Sequence, residues 1–232
     1  MIYIKNNMAA WLALAVLLSA PSAFARNDNT DPLTGRAAII DGSADTIKQN
    51  TGGGDPVAGK EKSRLCQGCH GEDGNSVDAL IPKLAGQYEK YISKELRNYQ
   101  AGIRSHEIMN AMAATLSDED LADISSYFAN QAKMKGSGAT ANEQGKNIFL
   151  KGNLSKMVLS CVNCHGVNGK GLSPETPMFP VIGGQHKAYL LKQLIDFKED
   201  DRVNSPNAIM NRIVRSLSDA DLDALAEYIS VQ

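Results

Sequence analysis

Aromatic side chains are scarce in this sequence. Its one tryptophan, Trp11, lies within the first 25 residues, and five Phe and seven Tyr serve the rest of the 232-residue chain. Cysteine is scarcer still, with four in all, and every one belongs to one of two short motifs. A disulfide scaffold, common among exported proteins, scatters its cysteines along the chain, so that class is excluded. No run of Lys and Arg is present and the formal charge is −2, which argues against nucleic acid or an anionic membrane as the partner. No segment alternates apolar and polar residues with period two, so no half-buried strand is expected. After the N-terminus, no stretch is apolar and long enough to span a bilayer, which takes about 20 apolar residues.

The N-terminus is the exception. Residues 1–25 carry Lys5, then an apolar run from Met8 to Ala20, and close on Ala23-Phe24-Ala25. A basic start, a short apolar core and a small-x-small end define a secretory signal peptide, with the cut placed after Ala25. The alternative is an uncleaved membrane anchor, for which the run is short. Residues 26–54 are rich in Asp, Asn, Thr and Gly and read as a flexible extension, with a short helix around Arg36–Ile40 at most.

The remainder is an internal repeat. Cys66-Gln-Gly-Cys69-His70 is echoed by Cys161-Val-Asn-Cys164-His165, and PKLAGQ (82–87) by PVIGGQ (180–185). YISKEL (91–96) returns as YLLKQL (189–194), and IMNAMAATLSDEDLADISSYF (108–128) as IMNRIVRSLSDADLDALAEYI (209–229). Four blocks in one order predict two homologous domains, 55–132 and 141–232, with 133–140 as a Gly/Ser-containing linker. Each domain reads as all-α. Ser117 and Ser218 are N-caps with aspartates in the turn that follows. Leu121, Ile124 and Phe128 recur at helical spacing, as do Leu222, Leu225 and Ile229. Segments 88–101 and 186–199 are also helical by pattern. Domains of this size bury little surface, and these have few aromatics, so something else is expected to fill their cores.

The CxxCH pentapeptide admits three readings. A thioredoxin-like redox pair needs a βαβ setting, which is absent. A zinc site would place its second ligand pair about 12–20 residues downstream, whereas Cys69 and Cys161 are 92 residues apart. The third reading is covalent attachment of haem c. Thiols at i and i+3 share one face of a helical turn and can each add to a haem vinyl group, and the adjacent histidine can then ligate iron. Cys66, Cys69, Cys161 and Cys164 are therefore the expected attachment points of two haem c groups, with His70 and His165 as axial ligands. Methionine opposite histidine is common in electron-transfer haem proteins and raises the potential. Met109 and Met210 each lie seven residues before an aligned leucine, whereas Met112 aligns with Ile213. Met109 and Met210 are thus the expected distal ligands. Met112, Met134, Met157 and Met178 are expected as core filler. His106 and His186 have no counterparts in the other repeat and are expected at the surface. With both irons fully ligated and no acid, base or substrate pocket evident, a carrier is favoured over an enzyme. The alternatives are a dihaem enzyme such as a peroxidase and the cytochrome subunit of a periplasmic dehydrogenase.

On these motifs residues 53–232 resemble the cytochrome c4 family of dihaem cytochromes. The CxxCH pieces are common to all c-type cytochromes; the P-x-[LI]-x-G-Q and LSD blocks, each present twice, are more specific. The resemblance implies two cytochrome c domains related by a pseudo-twofold, with haem edges close together. It implies a soluble periplasmic carrier that takes electrons from a donor such as a quinol-oxidising complex to a terminal oxidase or reductase. It also implies that the carbonyls of Pro82 and Pro180 accept the ring N–H of His70 and His165, fixing each imidazole. Gly145 and Phe149 resemble the family's crossing of first and last helices near Tyr228. The first repeat has Gly59 and Tyr127 but Ser63 for the aromatic, so a looser crossing is expected there. The 26–54 extension departs from the family's short start. Mass spectrometry of the mature protein should give the polypeptide from Arg26 plus two haems, and a haem stain should survive denaturing electrophoresis. A mass equal to the bare polypeptide would refute the attachment.

Overall fold

Aspartate or serine side chains cap three of the described helices. In the computed structural model, which describes residues 53–174, 176 and 178–232, Asp55 caps α1 (Pro56–Lys62), its carboxylate accepting from Val57 N at 2.8 Å. The expected signal peptide and nearly all of the 26–54 extension, with its short helix, lie outside the described residues. The first repeat continues with α2 (Arg64–His70), α3 (Glu89–Gln100), α4 (Glu107–Ala113) and α5 (Asp118–Ala129). The second gives α6 (Glu143–Lys151), α7 (Val162–His165), α8 (Lys187–Lys198), α9 (Ile209–Val214) and α10 (Asp219–Ser230). Among the described residues there is no strand, only an isolated bridge between Asn153 and Val158. The all-α expectation holds. Ser117 and Ser218 each form a full capping box with Asp120 and Asp221, and the acidic first turns oppose the helix dipoles.

Each repeat closes its own core. Ile92, Leu96 and Tyr99 of α3 meet Leu121, Ile124 and Phe128 of α5. Leu190, Leu194 and Phe197 of α8 meet Leu222, Leu225 and Ile229 of α10, with Phe149 of α6 fully buried against Tyr228. The faces read from helical spacing are the buried ones. The first and last helices of each repeat cross at a glycine. A Cβ on Gly59 would overlap the carbonyl oxygen of Asp123, and one on Gly145 that of Ala224. The crossing in the first repeat is not looser, contrary to expectation. Ser63 is 0% exposed; its hydroxyl donates to Lys60 O at 3.1 Å and accepts from Gln67 Nε2 at 2.8 Å. Polar contacts do there what an aromatic ring does in the second repeat. Lys62 pairs with Asp123 at 2.7 Å, and Asp55 N donates to the same carboxylate at 2.7 Å.

The two repeats pack as one compact unit. Two glutamines join them reciprocally. Gln87 Nε2 donates to Val181 O at 2.8 Å while its Oε1 accepts from Val181 N at 3.0 Å. Gln185 Nε2 donates to Lys83 O at 2.9 Å while its Oε1 accepts from Lys83 N at 2.9 Å. These are equivalent positions of the repeat, so the seam has the expected pseudo-twofold. The segment after α5 is tied to both repeats: Met134 N donates to Ala85 O at 3.1 Å and Gly136 N to Gln232 O at 2.7 Å. Met134 is buried beside Tyr88 and Val181. Gly145→Ala should destabilise the holoprotein by about 2 kcal/mol or more, the cost of overpacking against backbone. Chemical denaturation checks this, and Gly59→Ala should behave alike.

Candidate cofactor site

Both CxxCH motifs lie on short helical turns that stop at a glycine. α2 ends at His70 with Gly71 at φ 85°, and α7 ends at His165 with Gly166 at φ 74°. At both positions a Cβ would meet a backbone carbonyl, and φ is in the left-handed region, so glycine is required. The turn aims each histidine inward, and both are buried. His70 Nδ1 is 2.8 Å from Pro82 O and His165 Nδ1 is 2.9 Å from Pro180 O. A carbonyl only accepts, so Nδ1 carries the proton and donates, leaving the Nε2 lone pair unprotonated. Burial lowers the pKa of both rings, and the proline carbonyls only partly oppose this, so both imidazoles are neutral. Burial also raises the Cys66 thiol and pushes Cys161 up to about 12. All four cysteines are free of disulfides.

One cavity runs through the seam and serves both motifs. His70, Pro82 and Met109 line one part of it, and His165, Pro180 and Met210 the other. Met109 comes from α4 and Met210 from α9, the short helices before the capping boxes. Ile92, Leu96, Leu190 and Leu194 supply apolar wall. The remaining methionines divide. Met134 is buried, but Met157 and Met178 are 84% and 51% exposed, which corrects the expectation that they fill core. Asn153 and Val158 bridge across a tight turn that turns Met157 outward. His106 is exposed as expected and caps α4. His186 is half-buried rather than superficial, its Nε2 lying 3.0 Å from both Ser76 Oγ and Ser76 O of the other repeat.

Sequence reading missed a polar cluster in the same seam. Arg104 Nη1 donates to Glu95 Oε2 at 2.8 Å, and its Nη2 to Tyr189 Oη at 3.0 Å and Gln193 Oε1 at 2.8 Å. Arg202 mirrors it, reaching Tyr91 Oη at 3.1 Å, Glu95 Oε2 at 3.2 Å and Gln193 Oε1 at 2.7 Å. Asn204 Nδ2 adds a third donor to Glu95 Oε2, at 2.7 Å. Arg104 and Arg202 are repeat partners, as are Tyr91 and Tyr189. Glu95 pairs with Gln193, so one carboxylate serves two buried guanidiniums. Burial alone would push the Glu95 pKa up, but Arg202, Arg104 and Lys94 hold it at about 2. The signal that could have found the cluster is the 98-residue spacing shared by its arginines, tyrosines and the 95/193 pair.

These walls fit haem. They offer Cys69 from one repeat and Cys161 and Cys164 from the other, a neutral imidazole nitrogen, apolar walls for a flat macrocycle, and surplus positive charge that suits its carboxylates. An all-α repeat that presents such a wall twice is a c-type cytochrome. The Cytochrome c family model matches residues 57–132 and 143–231. Over 179 residues the chain is 42% identical to cytochrome c4 of Pseudomonas aeruginosa, covering 76% of this chain and 88% of that one. The crystal structure of reduced recombinant cytochrome c4 from Pseudomonas stutzeri superposes with a TM-score of 0.71 at 39% identity, covering 77% of this chain and 98% of that one. A thiosulfate dehydrogenase electron acceptor of Stutzerimonas stutzeri is 34% identical over 209 residues, covering 86% of this chain and 93% of that one. The chain belongs to the cytochrome c4 family. It is a dihaem electron-transfer cytochrome with two covalently bound haem c groups.

Glu95→Gln leaves two buried guanidiniums without their carboxylate and should cost about 3–5 kcal/mol at neutral pH in the holoprotein. The folded pKa of Glu95, about 2, lies below its ordinary 4.5, so its contribution is full above pH 4.5 and is lost as pH falls toward 2. Denaturation curves across that window should show wild type and variant converging. Parallel curves would refute the assignment.

Proposed function

We propose that Cys66 and Cys69 bind one haem and Cys161 and Cys164 the other through thioethers. His70 and Met109 are the axial pair of the first iron, His165 and Met210 of the second, and Pro82 and Pro180 hold the two imidazoles. The observation that carries this is the shared cavity, which places a histidine with a free Nε2 and an aligned methionine on its wall in each repeat. When bound, haem supplies one-electron chemistry. The chain supplies an apolar slot, a fixed ring tautomer and a soft neutral sulfur donor, which favours the ferrous state. Two protein ligands per iron leave no coordination position for a substrate, so the protein works as a carrier and not as a peroxidase. We place it in the periplasm, exported by residues 1–25, between a donor such as a quinol-oxidising complex and a terminal oxidase or reductase. In keeping with this, no helix among the described residues is long and apolar enough to cross a membrane. The likeness to a thiosulfate dehydrogenase electron acceptor supports a second reading, in which a periplasmic dehydrogenase is the donor. Co-purification with such an enzyme, and reduction by it, would decide for that reading.

An optical redox titration of the holoprotein tests the ligand set. Met109→Ala should remove about half of the weak sulfur-to-iron band, lower one potential and open one iron to cyanide. Met210→Ala should do the same to the other haem, and Met112→Ala should change neither. Loss of the band in Met112→Ala but not in Met109→Ala would overturn the first repeat's assignment.

A further inference from the structure

The described lysines fall into two groups. Eight of them lie within ion-pairing distance of a carboxylate. Six do not, and four of those six gather where residues 133–136 pass between the repeats: Lys83, Lys133, Lys135 and Lys170. The ammonium groups of Lys83, Lys133 and Lys170 are held by backbone oxygens instead. Lys83 Nζ donates to Gly184 O at 2.9 Å and Lys135 O at 3.2 Å. Lys170 Nζ donates to Met134 O and Gly183 O, both at 2.9 Å, and to Gln232 O at 3.1 Å, and Lys133 Nζ donates to Lys170 O at 3.0 Å. The peptide carbonyls that hold Lys83 and Lys133 fix the position of a cation without cancelling its charge. Burial and the nearby Lys133, Lys83 and Lys135 lower the pKa of Lys170, as expected where like charges crowd.

Crowding four cations costs stability, and the scaffold does not require it. The repeat places Asn75 opposite Lys170 and Val181 opposite Lys83, so the cluster occupies one side of the pseudo-twofold only. Lys133 and Lys135 are exposed. Lys83 follows Pro82, is held through its backbone by Gln185, and lines the cofactor cavity. We propose that Lys83, Lys133, Lys135 and Lys170 form a docking face for the carboxylate-rich surface of a protein redox partner. The proposal rests on the carrier reading above. An acidic protein fits better than a membrane. The chain as a whole carries −2, which repels an extended anionic surface, and residues 130–140 offer no exposed large apolar side chain to insert. Three of the four ammoniums are pinned at separate carbonyls, and the cluster so suits several carboxylates, not one phosphate.

The test uses holoprotein and an octaglutamate peptide as probe, with inorganic phosphate and vesicles containing anionic phospholipid as separate arms. Wild type should bind the peptide, and the affinity should fall steeply between low and moderate salt. Lys133→Glu with Lys135→Glu should weaken peptide binding at least tenfold, with haem spectrum and both potentials unchanged. Lys151→Glu with Arg212→Glu alters net charge equally at exposed sites elsewhere and should change binding less than twofold. Equal loss in both double variants, no peptide binding by wild type, or preferential binding of vesicles or phosphate would overturn the proposal. Haem content and potentials are read on the same samples, so failure of the axial-ligand assignment would register there and not in the peptide arm.

Discussion

Each CxxCH histidine is oriented by a loop that the opposite repeat holds in place. The His70 ring donates to the Pro82 carbonyl, and the next residue, Lys83, has both backbone polar groups bound by the Gln185 side chain. The second repeat returns the arrangement through His165, Pro180, Val181 and Gln87. A side-chain amide that matches one residue's N–H and C=O leaves that peptide little freedom to tilt. The loop that orients each ring is therefore held by a residue about 100 positions away in the chain. The P-x-[LI]-x-G-Q block is one device: proline orients its own histidine, glycine turns the chain, and glutamine crosses to steady the other loop.

The seam balances polar and apolar demands. Beside the glutamines, Tyr88, Met134 and Val181 exclude water. Further along, Arg104 and Arg202 face each other across Glu95. A symmetric duplicate would place a carboxylate at position 193 as well. Gln193 instead accepts from both guanidiniums without a charge. The result is a net positive wall on a cavity whose occupants carry carboxylates, and a buried carboxylate whose pKa stays low despite its burial.

What was legible in the sequence was local. CxxCH needs only one helical turn, so its chemistry could be read directly. Ser117 and Ser218 declare their helix starts through side-chain-to-backbone bonds three residues long, and Leu121, Ile124 and Phe128 declare a buried face by spacing alone. The repeat carried more: it paired the two halves of the chain, and Met109, which it singled out, lines the cavity. What stayed hidden joins residues far apart. Glu95 is one acidic residue among 26, and nothing near it signals two arginine partners. His186 has no counterpart in the other repeat, and that led to the surface; it reaches Ser76 instead. Ser63 was read as a missing aromatic, because sequence shows the lost volume and not the hydroxyl's two bonds.

The crossed glutamines also have a meaning in time. As the chain is made, the first CxxCH emerges 95 residues before the second, and Lys83 emerges 102 before Gln185. Through that interval the peptide beside Pro82 has only water for a partner. The first histidine loop lacks this contact until the chain has reached Gln185. A first repeat without the second would have its histidine loop unclamped, and Gln185 is the residue that supplies the clamp.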